Sequence, residues 1–330
     1  MLKYFKGSFI VTIIGMLAAY LWGEHISSGG GKMALFVVCF LSVLEVTLSF
    51  DNAVINAVKL EKMTDKWRHR FITWGILIAV FGMRLLFPIV VVAAFAGLSV
   101  MAVMHMAFYD ISQYSLHLHN VHAALVTFGG SFLMMIFFSY FCNCDKNIHW
   151  IKCIERPFLK LSCVRYIDVV FVLIALMILQ HFIPYNQKLP VILAGFTGVI
   201  LYLLVDSVSN LLEKIEQKKS NNLGTTAKLG FIGFLYLELI DASFSLDGVL
   251  GAFAISKDIV IICIGLAIGA MFVRSLTVYM VDKGILKQYL YLEHGAHWAI
   301  GFLSFIMFIS TRVEVPEAVN GSLGLLLVGG

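Results

Sequence analysis

Apolar positions fill this chain in long unbroken runs, and the polar positions gather in short breaks between them. Reading each run between charged or Gly/Pro/Asn-rich breaks gives nine segments, near 7–22, 33–58, 71–97, 121–142, 167–184, 190–210, 229–254, 259–281 and 293–311. Several exceed the roughly 18–20 residues that an α-helix needs to cross a bilayer. The pattern predicts an all-α polytopic membrane protein with about nine transmembrane helices. A tenth apolar run at 322–330 is too short to span, and reads as a tail or a truncated last helix.

Composition narrows the class further. The 330 residues are 60% hydrophobic and 13% charged, with mean hydropathy +0.91. A soluble domain carries about 25% charged residues, so a soluble enzyme and a disordered scaffold are both excluded. The net charge of +4 does not point to nucleic acid, because the basic residues lie in loops with no patch interleaved with aromatics. Of six cysteines, Cys39 and Cys263 sit inside apolar runs, while Cys142, Cys144, Cys153 and Cys163 surround one basic loop with His149. Their spacing fits no paired C-x-x-C pattern, and reduced thiols are the simpler reading.

Basic residues also set an orientation. Lys3 and Lys6, then Lys59–Arg70, Lys146–Arg165, Lys214–Lys228, and Lys283 with Lys287 place 18 of the 24 lysines and arginines on one face. Lys32, Lys188, Lys257 and Arg312 fall on the other, and Arg84 and Arg274 lie inside spans. By the positive-inside rule the N-terminus is cytoplasmic. The first segment has a basic lead but no small-residue cleavage site before Glu24, so it reads as an uncleaved anchor.

Part of the chain repeats. Leu44–Val58 aligns without gaps to Ile240–Ala254, so that Glu45 meets Asp241, Thr47 meets Ser243, Ser49 meets Ser245 and Asp51 meets Asp247. Gly75 and Arg84 stand nine apart, as do Gly265 and Arg274, and His119-Asn-Val-His122 matches His294-Gly-Ala-His297. Three successive helices therefore repeat in order. The copies begin on the second and seventh spans, and an odd offset inverts the second. This divides the chain into an N-terminal anchor and loop (1–32), a first repeat (33–142) and a linking region of loops and two helices (143–228). A second, inverted repeat (229–311) and a tail (312–330) complete it. Inverted repeats with a site at their interface are the architecture of many secondary transporters.

The repeated polar residues suggest what passes. An acid at the membrane centre costs roughly 2.5–3.5 kcal/mol, and Glu45, Asp51, Glu238, Asp241 and Asp247 outnumber Arg84 and Arg274. Protons, water or a bound cation must compensate the difference, unless ion pairs with the arginines simply hold the bundle together. Thr47, Ser49, Asn52, Ser243 and Ser245 complete an oxygen-rich set, which suits Mn2+, Ca2+ or Mg2+ rather than copper or zinc. Glu45, Ser49, Asn52 and Asn56 share one helical face, whereas Asp51 lies about 120° away. Both acids reach one ion only if the helix unwinds locally. His119, His122, His294 and His297 fall at the two mouths of such a pathway, where they would bind metal, relay protons or anchor at the interface.

Glu45-Val-Thr-Leu-Ser-Phe-Asp51-Asn52-Ala-Val resembles the E-x-x-L-S-x-D-N signature of the TerC family of integral membrane proteins. The segments Leu237–Gly248 and Tyr291–His297 are similar to a bacterial branch of it. The resemblance spans about residues 33–311. It implies a bacterial inner-membrane protein grouped with the LysE exporters and linked to tellurium resistance and manganese efflux. It also implies that Glu45, Asp51 and Asn52, with Asp241 and Asp247, bind metal. The second copy departs from the signature, with Asp241 in place of Glu and Gly248 in place of Asn.

The expected function is export of a divalent cation, manganese first, by alternating access around the buried carboxylates. Proton coupling fits, because a proton that replaces the departing ion avoids an uncompensated buried charge. The ion is substrate, no organic cofactor is expected, and the partners are the ion, the bilayer and, compatibly, further copies of the chain. The rivals are an assembly subunit that recruits metal or tellurite stress-response partners through its basic loops, and an intramembrane enzyme. No Gly-x-Gly-Asp protease pattern supports the enzyme.

Overall fold

The computed structural model describes residues 2–61, 63–143, 155, 157–158, 164, 166–221, 230–231, 233–235, 237–238, 241, 248, 252, 255–256, 258–289 and 291–313. Among these residues the regular elements are helices, and no strand forms. In chain order they are α1 (Leu2–Ile26), α2 (Gly30–Leu48), α3 (Phe50–Glu61), α4 (Asp65–Leu77), a π-helix (Ile78–Leu86), α5 (Phe87–Ala96), α6 (Val100–Tyr109) and α7 (Ile111–Phe141). There follow α8 (Ile167–Phe182), a 3-10 turn (Tyr185–Gln187), α9 (Lys188–Asn221), α10 (Ile259–Asp282), α11 (Ile285–Gln288) and α12 (Leu292–Ser310).

Six of the described helical stretches are long and apolar enough to cross a membrane, those of α1, α2, α7, α9, α10 and α12. α8 is shorter and equally apolar, and α4, the π-helix and α5 follow one another without a break. The protein is an all-α polytopic membrane protein. Eight of the nine expected segments coincide with described helices. The ninth, 229–254, lies largely outside the described residues, although Phe234, Leu237, Glu238, Asp241, Gly248 and Ala252 within it are helical. Ser243, Ser245 and Asp247 lie outside the described residues, as do Cys144, His149, Cys153, Cys163 and the apolar run at 322–330.

Two features depart from a plain bundle of straight spans. The second expected span is interrupted at Ser49, which separates α2 from α3. The third carries a π-helix over Ile78–Leu86, with Arg84 near its end. Such wide turns are uncommon and tend to mark functional positions. Between the third and fourth expected spans lies α6, a short helix capped by Ser99, whose hydroxyl accepts the Ala102 N–H at 3.2 Å.

Packing sorts the helices into inner and outer. α1 turns Ile13, Ile14, Leu17 and Leu21 outward, as a lipid-facing helix does, whereas α7 is buried along most of its length. Lipid supplies no hydrophobic drive between helices, so small residues and hydrogen bonds carry the contacts. Ser8 Oγ on α1 donates to the Met271 carbonyl of α10 at 2.9 Å, and Ser304 Oγ on α12 donates to the Gly130 carbonyl of α7 at 2.8 Å. The largest apolar cluster joins α3, α7, α8, α9, α10 and α12. Gly29, at φ 83°, turns the chain from α1 into α2.

Helix ends that an alternating up-and-down path places on one face meet there. Trp22 Nε1 on α1 donates to Asp258 Oδ2 before α10 at 2.9 Å, and Arg312 Nη1 after α12 donates to the Phe182 carbonyl of α8 at 2.7 Å. On the opposite face Trp67 packs on Phe231, with ring centroids 5.5 Å apart, and Tyr140 of α7 packs on His294 of α12.

Candidate functional site

Glu45, Arg84, Glu238, Asp241 and Arg274, all buried, converge where α2, α3, α4, the π-helix and α10 meet residues 238 and 241. Glu45, Glu238 and Asp241 are 2%, 3% and 5% exposed. Arg84 Nη2 donates to Glu45 Oε1 at 2.5 Å, and its Nη1 stands 3.6 Å from Asp241 Oδ2. Arg274 stands 3.8 Å from the same Asp241 oxygen through Nη2 and 3.5 Å from Glu238 Oε1 through Nη1. Asp241 is therefore shared between two guanidinium groups, and three carboxylates face two positive charges. Arg84 with Glu45 and Arg274 with Asp241 are the pairs that the internal repeat equates.

Neutral groups complete the network. Ser49 Oγ, at the break between α2 and α3, donates to Glu45 Oε1 at 3.2 Å. Asn52 Nδ2 donates to Asp241 Oδ1 at 2.8 Å. Arg274 Nη1 donates to the Phe71 carbonyl at 2.8 Å, and its guanidinium lies 4.2 Å from the centre of the Phe71 ring. Asp51 is buried in the first turn of α3, where Oδ1 accepts the Asn52 N–H at 2.9 Å.

Glycines make the room. A Cβ on Gly75 of α4 would overlap Arg274 Nη1 and lie 2.6 Å from Glu238 Oε1. On α10, a Cβ at Gly269 would fall 2.5 Å from Glu45 Cβ, and one on Gly248 would fall 2.9 Å from Glu45 Oε2. A longer side chain at Gly248 would therefore press on Glu45.

Four buried oxygens have no hydrogen-bond partner among the described residues: Asn52 Oδ1, Asn56 Oδ1, Glu238 Oε2 and Asp241 Oδ2. All four are acceptors. A buried polar atom left in this state calls for a water, an ion or a strained role. Asn56, Arg84, Asp241, Arg274 and Thr277 help line a cavity with room for about one water-sized particle. Among the described residues no three His, Cys, Asp or Glu side chains form a group that would hold a metal. In this arrangement the guanidinium groups stand between the acids.

Other expected residues lie apart from this centre. Thr47 turns back on its own helix, donating to the Val43 and Leu44 carbonyls at 2.7 and 2.9 Å. His119 is exposed and His122 half-buried on α7. His294 and His297 are buried against Tyr140: the Tyr140 hydroxyl is 3.1 Å from His294 Nδ1, and the His297 ring stacks on Tyr140 at 3.6 Å and 9°. His297 Nδ1 is 2.8 Å from the Glu293 carbonyl, so that nitrogen carries the proton. Beside them Trp298 Nε1 donates to buried Glu155 at 3.3 Å. Glu155 was not singled out from sequence, where nothing but its charge in a basic loop marks it. Cys142, the described member of the cysteine group, is a half-buried free thiol at the end of α7.

Relatives agree on the setting. Over 114 residues, 34% of this chain and 36% of the relative, it is 29% identical to an uncharacterized membrane protein of Rickettsia conorii. Over 108 residues, 33% of this chain and 35% of the relative, it is 25% identical to an uncharacterized membrane protein of Rickettsia prowazekii. The chain thus spans about a third of the length of the curated relatives it matches. No solved structure matches it. Residues 50–330, which include Arg84, Glu238, Asp241 and Arg274, match the model of the family described as "Protein of unknown function (DUF475)", and the chain belongs to that family.

Proposed function

We propose that the protein is a secondary transporter that exports divalent cations across a bacterial inner membrane, with its N-terminus in the cytoplasm. One observation carries the reading: a membrane-buried centre in which, among the described residues, three carboxylates outnumber two arginines and four acceptor oxygens lack a donor. A purely structural network would match its charges and hydrogen bonds, because every uncompensated charge at this depth is costly. An excess of hard oxygen acceptors instead favours a passing cation of the Mg2+, Ca2+ or Mn2+ kind.

Manganese is the first candidate through the resemblance of Glu45–Val54 to the TerC signature. Glu45, Asn52, Glu238 and Asp241 would supply oxygens to the ion, with Asp51 and Asp247 nearby in sequence. Asn52, Asp241 and the arginines tie the two repeated stretches together, so rocking of one against the other would expose the centre to each side in turn. A proton taken up by a carboxylate as the ion leaves would keep the centre close to neutral.

The test is the metal content of cells lacking the gene, carrying the wild type, or carrying Asp241→Asn, after a challenge with each of several metals. Excess manganese in the null and the variant, cleared by the wild type, supports export through Asp241. Equal metal content in all three removes the transport reading and favours an assembly role for the basic loops.

A further inference from the structure

We propose that Arg84 and Arg274 are tethered counter-ions that an incoming cation must displace, and that this competition makes the site select divalent over monovalent ions. The inference rests on the transport reading and concerns how its site works.

Each guanidinium addresses two carboxylates and not one: Arg84 lies on Glu45 and Asp241, Arg274 on Glu238 and Asp241. Three of those four contacts measure 3.5–3.8 Å, well beyond the 2.7–2.9 Å of a strong charge-assisted bond. Asp241, the shared acid, is thus held loosely by both arginines, and among the described residues its Oδ2 has no hydrogen-bond partner. The arginines separate acids that would otherwise converge, and among the described residues no metal-holding group of three forms in this arrangement.

Both arginines have somewhere to go. Arg274 already donates to the Phe71 carbonyl and lies over the Phe71 ring, and both contacts survive if its carboxylate partners are taken. Arg84 sits in a π-helix. Converting one wide turn to an α-turn shifts the register by one residue, which swings the residues involved by about 100° around the axis. A monovalent ion offers the carboxylates no more charge than the guanidinium it must evict, and the guanidinium is tethered at high local concentration. A divalent ion offers twice the charge at shorter contact distance, and can replace the arginine.

The test is equilibrium binding of Mn2+ to the purified full chain in lipid nanodiscs, with and without excess Na+, for the wild type, Arg274→Gln, Arg274→Lys and Gly75→Ala. Arg274→Gln is expected to bind Mn2+ tighter by about tenfold or more and to become sensitive to Na+. Arg274→Lys keeps the charge and is expected to stay close to wild type. Gly75→Ala pushes Arg274 off its seat without removing it, and is expected to shift affinity in the same direction as Arg274→Gln; it stands in if the latter does not fold. Wild-type binding with unchanged or weaker affinity in the folded variants overturns the displacement inference alone. Absence of binding by the wild type to Mn2+, Ca2+ and Mg2+ overturns the transport reading as well.

Discussion

Asn52 Nδ2 donates to Asp241 Oδ1 at 2.8 Å, and that bond joins the two stretches of sequence that repeat each other. A carboxylate only accepts, so the bond also fixes the amide, with Asn52 Oδ1 left among the acceptors that lack a donor among the described residues. A hydrogen bond to a charged group contributes about 1.5–3 kcal/mol. Asn52→Ala is expected to lower stability by about that much in reversible unfolding from mixed micelles. Asn52→Asp, which sets a like charge against Asp241, is expected to lower it further.

The Arg84–Glu45 pair is buried on both sides. Removing one partner of such a pair leaves an uncompensated charge and costs about 3–5 kcal/mol, whereas removing both costs far less. Arg84→Gln should therefore unfold earlier than the wild type by that margin, and the Glu45→Gln/Arg84→Gln double variant should recover most of the loss. A double-mutant cycle on detergent-solubilised protein reads the difference, and additive losses would exclude a strong pair.

Gly75 and Gly82 lie on the same continuous run of helix with opposite expectations. A Cβ at Gly75 overlaps Arg274, while among the described residues one at Gly82 meets Ile78 alone, with Cγ2 at an ordinary 3.4 Å. Gly75→Ala should cost about 1–3 kcal/mol through forced displacement. Gly82→Ala should leave unfolding unchanged or slightly later.

Asp110 caps α7 at its exposed end. The Ser112 hydroxyl, then the Gln113 N–H, hold its carboxyl below the ordinary value of 3.8. A depressed folded value means that the cap stabilises the helix end above the unfolded-state pKa and loses that effect as pH falls through the folded one. The protection of the Gln113 amide against exchange, taken relative to the intrinsic rate at each pH, should fall on acidification below about pH 4, and Asp110→Asn should remove that dependence.

Much of the architecture is legible in the chain because lipid imposes length and polarity on each span. The expected segment at 121–142 ends one residue beyond α7, and that at 259–281 falls within α10. The face that Glu45, Ser49, Asn52 and Asn56 share is readable from spacing, and the bond of Ser49 with Glu45 lies along it, whereas the partner of Asn52 across the molecule is not readable from spacing. What periodicity does not carry is any departure from the regular helix. The π-helix before and through Arg84 and the break at Ser49 are local changes of hydrogen bonding within apolar text. α6 was hidden because a short apolar helix and a connecting stretch look alike by composition. The histidine motifs match each other in sequence, yet His294 and His297 settle against Tyr140, whose ring offers a stacking face that spacing alone does not reveal. Charge counting leaves open whether the acids face an ion or pair with Arg84 and Arg274, and long-range geometry decides that the arginines lie directly on them.

The most direct test of the central claim is Mn2+ flux into proteoliposomes containing the purified full chain and a trapped metal-sensitive dye, with protein-free vesicles and Asp241→Asn alongside. The account predicts a saturable flux for the wild type and the protein-free background for Asp241→Asn at equal incorporation. Wild-type vesicles that admit Mn2+, Ca2+ and Mg2+ no faster than protein-free ones, or an Asp241→Asn flux equal to wild type, would contradict it.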